Sequence, residues 1–197
     1  MDATALEFRS GYFDAVACSF GLFFMPDMAE ALREWRRVLR PGGRIALTGF
    51  GPTAFQPLAD NYCSMLRACG GPALCAHDLP WQRLATAETI EQLLLAAGFE
   101  AVECSTEQLG YHLQNALEWW DVVWNSGFRG PLLTFDEARL EQFRERHLAE
   151  VGALFTGDTL WLDVPVLFVT VAALFVTLAQ RMGREMAVLP PLRGYTI

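Results

Sequence analysis

The side chains able to carry out chemistry are few in this sequence, and their spacing excludes several reaction types. Five cysteines stand at positions 18, 63, 69, 75 and 104, and three histidines at positions 77, 112 and 147. No pair has the spacing of a zinc site or of a redox Cys-x-x-Cys motif, so we expect free thiols and no metal. All fifteen cationic residues are arginine, which removes the lysine of Schiff-base catalysis and phosphate loops. No nucleophile–base pair stands out, and the catalytic residues stay unassigned.

The composition describes one globular domain with an acidic surface. The chain has 197 residues, of which 52% are hydrophobic and 19% are charged, with a formal net charge of -8. This length and apolarity suffice for a buried core and exclude a disordered chain. The acidic balance argues against nucleic acid as the main partner, because phosphate binding depends on clustered cations.

Two terminal stretches bear on where the protein resides. The N-terminus is acidic and has no apolar run, so we expect no signal peptide and a cytoplasmic protein. The stretch 164–179 carries no charge, but it is shorter than the roughly 20 apolar residues that span a bilayer. Its first half is rich in valine, which favours a buried strand running into a helix; contact with a membrane is the less favoured alternative.

The first fifty residues predict a strand–helix–strand unit. An apolar run ends at Phe20, as in strands that are covered on both faces. Asp27 is a candidate N-cap for a helix that continues to Leu39 with apolar residues at helical spacing. The Pro-Gly-Gly sequence at 41–43 predicts the end of this helix, and a second apolar strand covers 44–50. Parallel pairing of the two strands is therefore expected.

The rest of the chain predicts four more helices and two more strands. Thr86 is a candidate cap and Gly98 a stop signal for one of these helices. No repeat or low-complexity linker separates these elements. The expected helices cover 58–68, 86–97, 115–124 and 135–153, and the expected strands cover 101–109 and the stretch from 164 onwards.

Six short motifs, taken together, resemble the class I S-adenosylmethionine-dependent methyltransferases, near the branch of the ubiquinone and menaquinone methylases. The most specific is Arg-Val-Leu-Arg-Pro-Gly-Gly-Arg at 37–44, at a helix-to-strand turn. The resemblance is strong over 1–50, moderate from 86 to about 173, and absent beyond. The other motifs are Asp2-Ala3, Leu6 with Phe8, Phe13-Asp14-Ala15-Val16, Phe20-Gly21-Leu22, and Ala31-Leu32 with Glu34.

The resemblance implies an α/β, Rossmann-like fold with a mostly parallel sheet, an antiparallel last strand and helices on both faces. It also implies S-adenosylmethionine as cofactor, bound at the carboxyl ends of the strands. The family's first strands and its Gly-rich loop have no counterpart before Asp2, so we expect an N-terminally truncated copy. Residues 1–173 would form the C-terminal portion of the domain, and residues 174–197 a helical or loose tail.

The family motifs assign a role to several residues. Asp2 and Ala3 are expected to contact the adenine, with a solvated, frayed terminus as the alternative. Ser19, Phe20 and Gly21 are expected to face the amino-acid end of the cofactor, because ligands bind at the carboxyl ends of strands in open α/β sheets. Core packing is the alternative for the Phe20 side chain.

The acceptor pocket is expected to involve Phe24, His112 and Trp120. For Phe24 and Trp120 the alternative is ordinary core packing, and for His112 it is a hydrogen-bonded histidine without a catalytic role. The resemblance therefore implies methyl transfer to a small, apolar acceptor. Because the first strands and the Gly-rich loop have no counterpart here, we expect an incomplete copy of such an enzyme.

The truncated fold would leave the first strand with an unpaired edge. Such an edge presents free backbone groups to other chains, so self-association through it is expected. The alternative function is therefore a non-catalytic remnant or interaction module that pairs through this edge. For the unpaired edge we favour the hypothesis that Met1 is an internal codon of a longer gene, which encodes the missing strands. The alternatives are a partner supplied by another chain and a marginal, aggregation-prone fragment.

Overall fold

The computed structural model describes residues 2–172, which form one four-stranded sheet with helices packed against it. The strand order is β1-β2-β4-β3. The strands are β1 (Phe13–Ser19), β2 (Leu39–Phe50), β3 (Glu100–Leu113) and β4 (Leu160–Ala172). The helices are α1 (Met28–Val38), α2 (Leu58–Ala68), α3 (Ala87–Ala96), α4 (Ala116–Trp124), α5 (Arg129–Leu132) and α6 (Glu137–Gly152), with short 3-10 helices at Leu22–Phe24, Ala76–Asp78 and Pro80–Leu84.

The predicted strand–helix–strand unit is present, and β1 and β2 pair in parallel. Asp27 caps α1, since its side chain accepts a hydrogen bond from the Glu30 amide at 2.8 Å. The buried side of α1 includes Leu32 and Trp35, as the helical spacing of the apolar residues predicted.

The Pro-Gly-Gly sequence after α1 lies within β2 rather than before it. The register shifts between the Phe13–Leu39 and Ala15–Arg44 pairs, so the extra residues form an irregularity in the strand. Gly42 has φ +77°, and a Cβ on Gly43 would lie 2.9 Å from the carbonyl of Arg40. Both positions therefore require glycine.

The sheet is mixed, which corrects the expectation of a mostly parallel one. β4 runs antiparallel to both of its neighbours, β2 and β3, as expected for the last strand. Because β4 lies between them, β1–β2 is the one parallel pairing in residues 2–172. β1, β2 and β3 still point the same way, so their carboxyl ends meet at one edge.

Within residues 2–172, one face of the sheet is buried and much of the other is exposed, so helices over the second face stay a prediction. Rows of paired residues identify the faces: Ile45, Leu47 and Val169 are buried on one side. On the other side, over residues 2–172, residues that neighbour one another across β1, β2 and β4 are exposed. We call this side the open face; its exposed residues include Ala15, Ala17, Ala46, Phe168 and Thr170.

The other predicted elements are present with altered lengths. α2 has the predicted bounds, whereas β3 continues four residues beyond the expected Leu109, to Leu113. α1 and α3 contact each other, and α6 packs against α2 and α4. The strand expected from Val164 is β4, and its predicted continuation into a helix, like the predicted tail at 174–197, lies outside the described residues.

Candidate functional site

The carboxyl ends of β1 and β2 lie side by side, and the chain turns sharply there. Phe20 follows β1 with φ +51°, a left-handed conformation that is rare for an aromatic residue. Its amide donates a hydrogen bond to the Thr48 carbonyl at 3.1 Å, so the unusual backbone is held by the neighbouring strand. Strained residues of this kind cluster at functional sites.

A cavity of about 800 Å³ opens at these strand ends. Four chain segments form its wall: the turn after β1, the end of β2 with its following loop, residues 74–81, and residues 125–133. Its volume is in the range of small-molecule sites, and its wall is largely apolar, as such sites usually are. The aromatic and aliphatic lining residues are Phe20, Phe23, Phe24, Phe50, Phe55, Leu74, Leu79, Pro80, Trp81, Pro131 and Leu133.

Aromatic rings in mutual contact give the cavity a rigid wall. Phe20 stacks on Phe50 with ring centroids 4.4 Å apart, and Phe50 meets the edge of Phe55 at 4.9 Å. Phe55 in turn contacts Trp81 at 5.2 Å. Phe55 also has a left-handed backbone, with φ +68°. Of the three non-glycine residues with positive φ in residues 2–172, two therefore line this cavity.

Arg83 fixes the loop that carries Phe23 and Phe24. Its guanidinium donates to the carbonyls of Phe23 and Met25, both at 2.9 Å, and of Pro26 at 3.2 Å. The 3-10 helix Pro80–Leu84 is thereby joined to the turn after β1. Phe23 is buried below this turn, while Phe24 is 54% exposed at the cavity wall.

Two charged residues stand among the apolar side chains of the wall. The pKa of Asp78 is lowered because the backbone amide and then the thiol of Cys75 donate hydrogen bonds to its carboxylate. The Arg129 guanidinium lies 4.7 Å from the centroid of the Trp124 ring. An apolar ligand with one polar or charged end fits a wall of this composition.

Asp2 and Ala3, the predicted adenine contacts, are held against α1 rather than frayed. Asp2 Oδ1 accepts hydrogen bonds from the amide and hydroxyl of Thr4, both at 2.8 Å, and these bonds lower the pKa of the Asp2 carboxyl. The Ala3 carbonyl accepts from Trp35 Nε1 at 2.7 Å. Neither residue lines the cavity, and their role in binding adenine stays a prediction.

Ser19, Phe20 and Gly21 lie together at the end of β1, as predicted. A Cβ on Gly21 would come within 2.9 Å of Cys18 Sγ, so this position has no room for a larger residue. Ser19 pairs with Thr48, whose buried hydroxyl has no hydrogen-bond partner within residues 2–172. The roles of Ser19 and Gly21 at the amino-acid end of the cofactor stay predictions, since neither residue lines the cavity.

His112 and Trp120 lie away from the cavity wall. His112 is exposed near the end of β3, where its ring contacts Trp161 at 5.0 Å and its Nδ1 lies 3.2 Å from the Thr159 hydroxyl. Trp120 is half-buried on α4 and stacks on Trp124. The structure thus brings Phe20 and Phe24 to the cavity, while roles for His112 and Trp120 in the acceptor pocket stay predictions.

Several cavity residues were not found from the sequence. Trp81 and Asp78 follow no motif, and they come from a segment far from the strand ends in sequence. The segment at 127–131 reads Gly-Phe-Arg-Gly-Pro, a loop signal that marks a connection but not a ligand. Only the packing of the helices brings these segments to one cavity.

Residues 2–172 contain no group of three or more His, Cys, Asp or Glu side chains arranged to hold a metal. None of the helices in this part of the chain is long and apolar enough to cross a membrane.

The comparisons with known proteins find methyltransferases that are similar to part of this chain. A sequence model described as a methyltransferase domain matches residues 1–47. A demethylmenaquinone methyltransferase of Mycolicibacterium vanbaalenii is 39% identical over 105 residues, which cover 51% of this chain and 46% of the relative. Over these residues the chain is similar to the class I S-adenosylmethionine-dependent methyltransferases. S-adenosylmethionine is the methyl donor of that family.

The relatives point to the ubiquinone and menaquinone branch that the motifs suggested. The ubiquinone/menaquinone biosynthesis C-methyltransferase UbiE of Yersinia enterocolitica is 32% identical over 114 residues, covering 53% of this chain and 45% of that protein. The chain thus spans a little under half the length of the curated relatives it matches.

Solved structures support the fold. A protein of Anabaena variabilis, described as a methyltransferase from an antibiotic biosynthesis pathway, has a TM-score of 0.53 and 16% identity; the match covers 84% of this chain and 70% of that one. A protein of Bacillus halodurans described as a methyltransferase has a TM-score of 0.50 at 16% identity, covering 89% and 76%. These values show a methyltransferase-like α/β fold with a mixed sheet.

Proposed function

We propose that the chain contributes to S-adenosylmethionine-dependent methyl transfer to a small, apolar acceptor. The observation that carries this proposal is the aromatic cavity at the carboxyl ends of β1 and β2, the edge at which open α/β sheets bind ligands. The ubiquinone and menaquinone methyltransferases among the relatives support an apolar acceptor, since their names specify quinone biosynthesis.

In this proposal the residues of this chain bind and orient the reactants. Bound S-adenosylmethionine supplies an electrophilic methyl group, so the protein mainly provides proximity, alignment and exclusion of water. Ser19, Phe20 and Gly21 hold the cofactor at the turn after β1, with the Thr48 hydroxyl beside them. Asp2 and Ala3 contact the adenine in the same proposal.

The acceptor occupies the aromatic cavity. Trp81 forms a buried part of its wall, Phe50 a half-buried part and Phe24 an exposed part. The Asp78 carboxylate, whose pKa is lowered by its bonds to Cys75, and the Arg129 guanidinium lie where they orient a polar substituent of the acceptor. We place this activity in the cytoplasm.

Cofactor binding is tested by calorimetry with S-adenosylhomocysteine on the full chain. We expect a micromolar dissociation constant, weakened about tenfold by Gly21→Ala, because the added Cβ would collide with Cys18 Sγ and displace the turn. Gly152→Ala is the matched control, since a Cβ there meets no atom within 4 Å. A folded chain that gives no heat at millimolar ligand would contradict the proposal.

Acceptor binding is tested with 2-naphthol, a planar apolar probe, followed through tryptophan fluorescence. Phe24→Ala should weaken its binding about tenfold, because an aromatic wall residue is lost. Leu95→Ala is the control, an exposed apolar residue on α3 outside the cavity. Equal effects of the two substitutions would place the probe elsewhere.

A second candidate function is an interaction module without catalysis. The observation that favours it is the outer edge of β1, which has no strand partner within residues 2–172. If the chain pairs through this edge, with itself or with another protein, size-exclusion chromatography should detect a complex. This complex should form in the presence and in the absence of the cofactor.

A further inference from the structure

The wall of the aromatic cavity, as formed by residues 2–172, contains one cation, Arg129, and one carboxylate, Asp78. Asp78 is engaged by its own turn, because its Oδ2 accepts hydrogen bonds from the Cys75 amide at 2.8 Å and the Cys75 thiol at 3.0 Å. The Arg129 guanidinium, by contrast, makes no hydrogen bond and no salt bridge within residues 2–172. It lies over the Trp124 ring, 4.7 Å from the centroid. The cavity wall therefore carries a cation that no carboxylate of the described chain pairs with.

Stacking on Trp124 leaves the hydrogen-bond donors of Arg129 available to a ligand. A guanidinium is planar and its five N–H groups point outwards from its edge, so a ring against its face uses none of them. Other arginines show the contrast. Arg83 donates to three carbonyls, and Arg144, which also lies over an indole ring, pairs with Glu141 at 3.4 Å. Arg129 thus has the free donors that binding an anion requires.

The buried residue Phe128 fixes the backbone next to Arg129. The Phe128 carbonyl accepts a hydrogen bond from the Tyr62 hydroxyl at 2.5 Å, and the Phe128 ring lies edge-to-face with Trp81 at 4.9 Å and Trp119 at 5.2 Å. Trp81 also lines the cavity, so the backbone that carries Arg129 is anchored to the wall that would hold the ligand. A binding group on an anchored backbone loses less conformational freedom when the ligand binds.

The charge of the wall favours an anion with a single negative charge. One guanidinium balances one such charge, whereas a phosphate ester carries close to two at neutral pH. Asp78 on the same wall and the formal net charge of -8 both oppose a second negative charge. A carboxylate has the matching charge, and its two oxygens accept two parallel hydrogen bonds from the planar fork of a guanidinium.

The aromatic part of the wall indicates what carries that carboxylate. Phe20 and Phe50 stack on each other, and Trp81 adds an indole ring to the same wall. Aromatic side chains of this kind pack favourably against another aromatic ring. We propose that the acceptor bound in the cavity is an aromatic carboxylate, with its ring against these side chains and its carboxylate on Arg129.

This inference rests on the proposed function, since it names the substrate class of the same cavity. It makes Arg129 a specificity-determining residue. A neutral arene is bound by packing alone, whereas an aromatic carboxylate is bound by packing and by charge-assisted hydrogen bonds. Because the carboxylate is held at one point of the wall, Arg129 also limits which ring atoms can reach the methyl donor.

The test compares 2-naphthoate with 2-naphthol by calorimetry on the full chain at neutral pH. The carboxylic acid is ionised there and the phenol is not, so the two probes share a ring system and differ in charge. Arg129→Met should weaken 2-naphthoate binding about tenfold or more and 2-naphthol binding less than about twofold. Arg129→Lys keeps the charge without the planar fork and should recover part of the lost 2-naphthoate affinity.

Arg139→Met is the matched control for this substitution. Arg139 lies over the Phe135 ring, 5.5 Å from the centroid, and neither residue lines the cavity. Its loss should leave the affinities for both probes unchanged. Retained binding of 2-naphthol shows that a variant is folded and that its cavity is intact.

The outcomes separate this inference from the proposed function. Equal weakening of the two probes by Arg129→Met, or an equally large effect of Arg139→Met on 2-naphthoate, would overturn the inference and leave the acceptor cavity in place. Binding of 2-naphthoate that survives Arg129→Met would overturn it as well. If the folded chain binds neither probe, the proposed function fails together with the inference.

Discussion

His147 is a fully buried histidine inside a group of aromatic rings. Its Nε2 accepts a hydrogen bond from Trp119 Nε1 at 2.8 Å, so the proton of the neutral ring lies on Nδ1, which has no partner within residues 2–172. Phe143 stacks on the imidazole at 5.3 Å and Tyr62 meets its edge at 5.8 Å. Burial lowers the pKa of His147 from 6.5 to about 4.

This pKa predicts that the protein loses stability in mild acid. Between the folded value of about 4 and the unfolded value of 6.5, the unfolded chain binds more protons. The stabilisation is therefore complete above pH 6.5 and is lost as the pH falls towards 4, by about 2 kcal/mol at pH 5. Urea unfolding at pH 7.5 and pH 5.0 measures the difference.

Two variants separate this histidine from other acid effects. His147→Gln keeps a hydrogen-bond acceptor for Trp119 but does not titrate, so its stability should change less between the two pH values. His112→Gln, at an exposed position on β3, should behave like the unmodified chain. An unchanged pH dependence in His147→Gln would contradict the assignment.

The left-handed backbone conformations of two cavity residues could not be predicted from the sequence. Phe20 and Phe55 both line the cavity, and no local signal marks an aromatic residue for this conformation. The N-cap role of Asp27, by contrast, is predicted by the sequence, because Glu30 follows three residues later. Capping depends on neighbours in sequence and is predictable, whereas strain at Phe20 depends on the carbonyl of Thr48 on another strand.

At the scale of elements, Arg83 joins the turn after β1 to the 3-10 helix Pro80–Leu84. Arg83→Met removes hydrogen bonds to three carbonyls while keeping a long apolar side chain. The loop that carries Phe24 should then move away from the cavity wall, and the affinity for 2-naphthol should fall about tenfold. Fluorescence titration measures the change.

Arg33→Met is the matched control for this substitution. Arg33 is exposed on α1 and does not line the cavity, so its loss should leave probe binding nearly unchanged. Equal losses in both variants would mean that Arg83 acts through general stability rather than through the loop.

The elements themselves were largely predictable because their signals are local. α2 was predicted with its observed bounds. Thr86 caps α3 as expected, and Asn115 caps α4, which was not predicted from the sequence. β3 was predicted too short because its second half is mostly polar and exposed; it is a strand because it pairs with β4. The cavity could not be predicted, because its wall comes from segments that are far apart in sequence. No pattern within one segment shows which other segments it will contact.

At the scale of the whole molecule, β4 connects the two halves of the sheet. β2 and β3 do not pair with each other; each is hydrogen-bonded to β4. Val169→Ala, at a buried position of β4, should lower the free energy of unfolding by about 2 kcal/mol. Because both pairings share β4, backbone amides of β2 and β3 should lose hydrogen-exchange protection together.

Val123→Ala is the control for this prediction, as a buried valine on α4. It should lower the free energy of unfolding by a similar amount. Hydrogen exchange through local unfolding should increase mainly in α4 and α6, because these two helices pack together. Increased exchange confined to one side of the sheet in Val169→Ala would contradict the linking role of β4.

The central position of β4 also constrains how the protein is made. The strand that must lie against β2, β4, is translated only after α2 to α6 and β3, which follow β2 along the chain. Until β4 is synthesised, the edge of β2 that will pair with it has unpaired backbone groups and exposed apolar side chains. Such exposed edges bind chaperones and promote aggregation. We therefore expect recovery of folded protein in cells to depend more on the pace of translation and on chaperone supply than on its stability once complete.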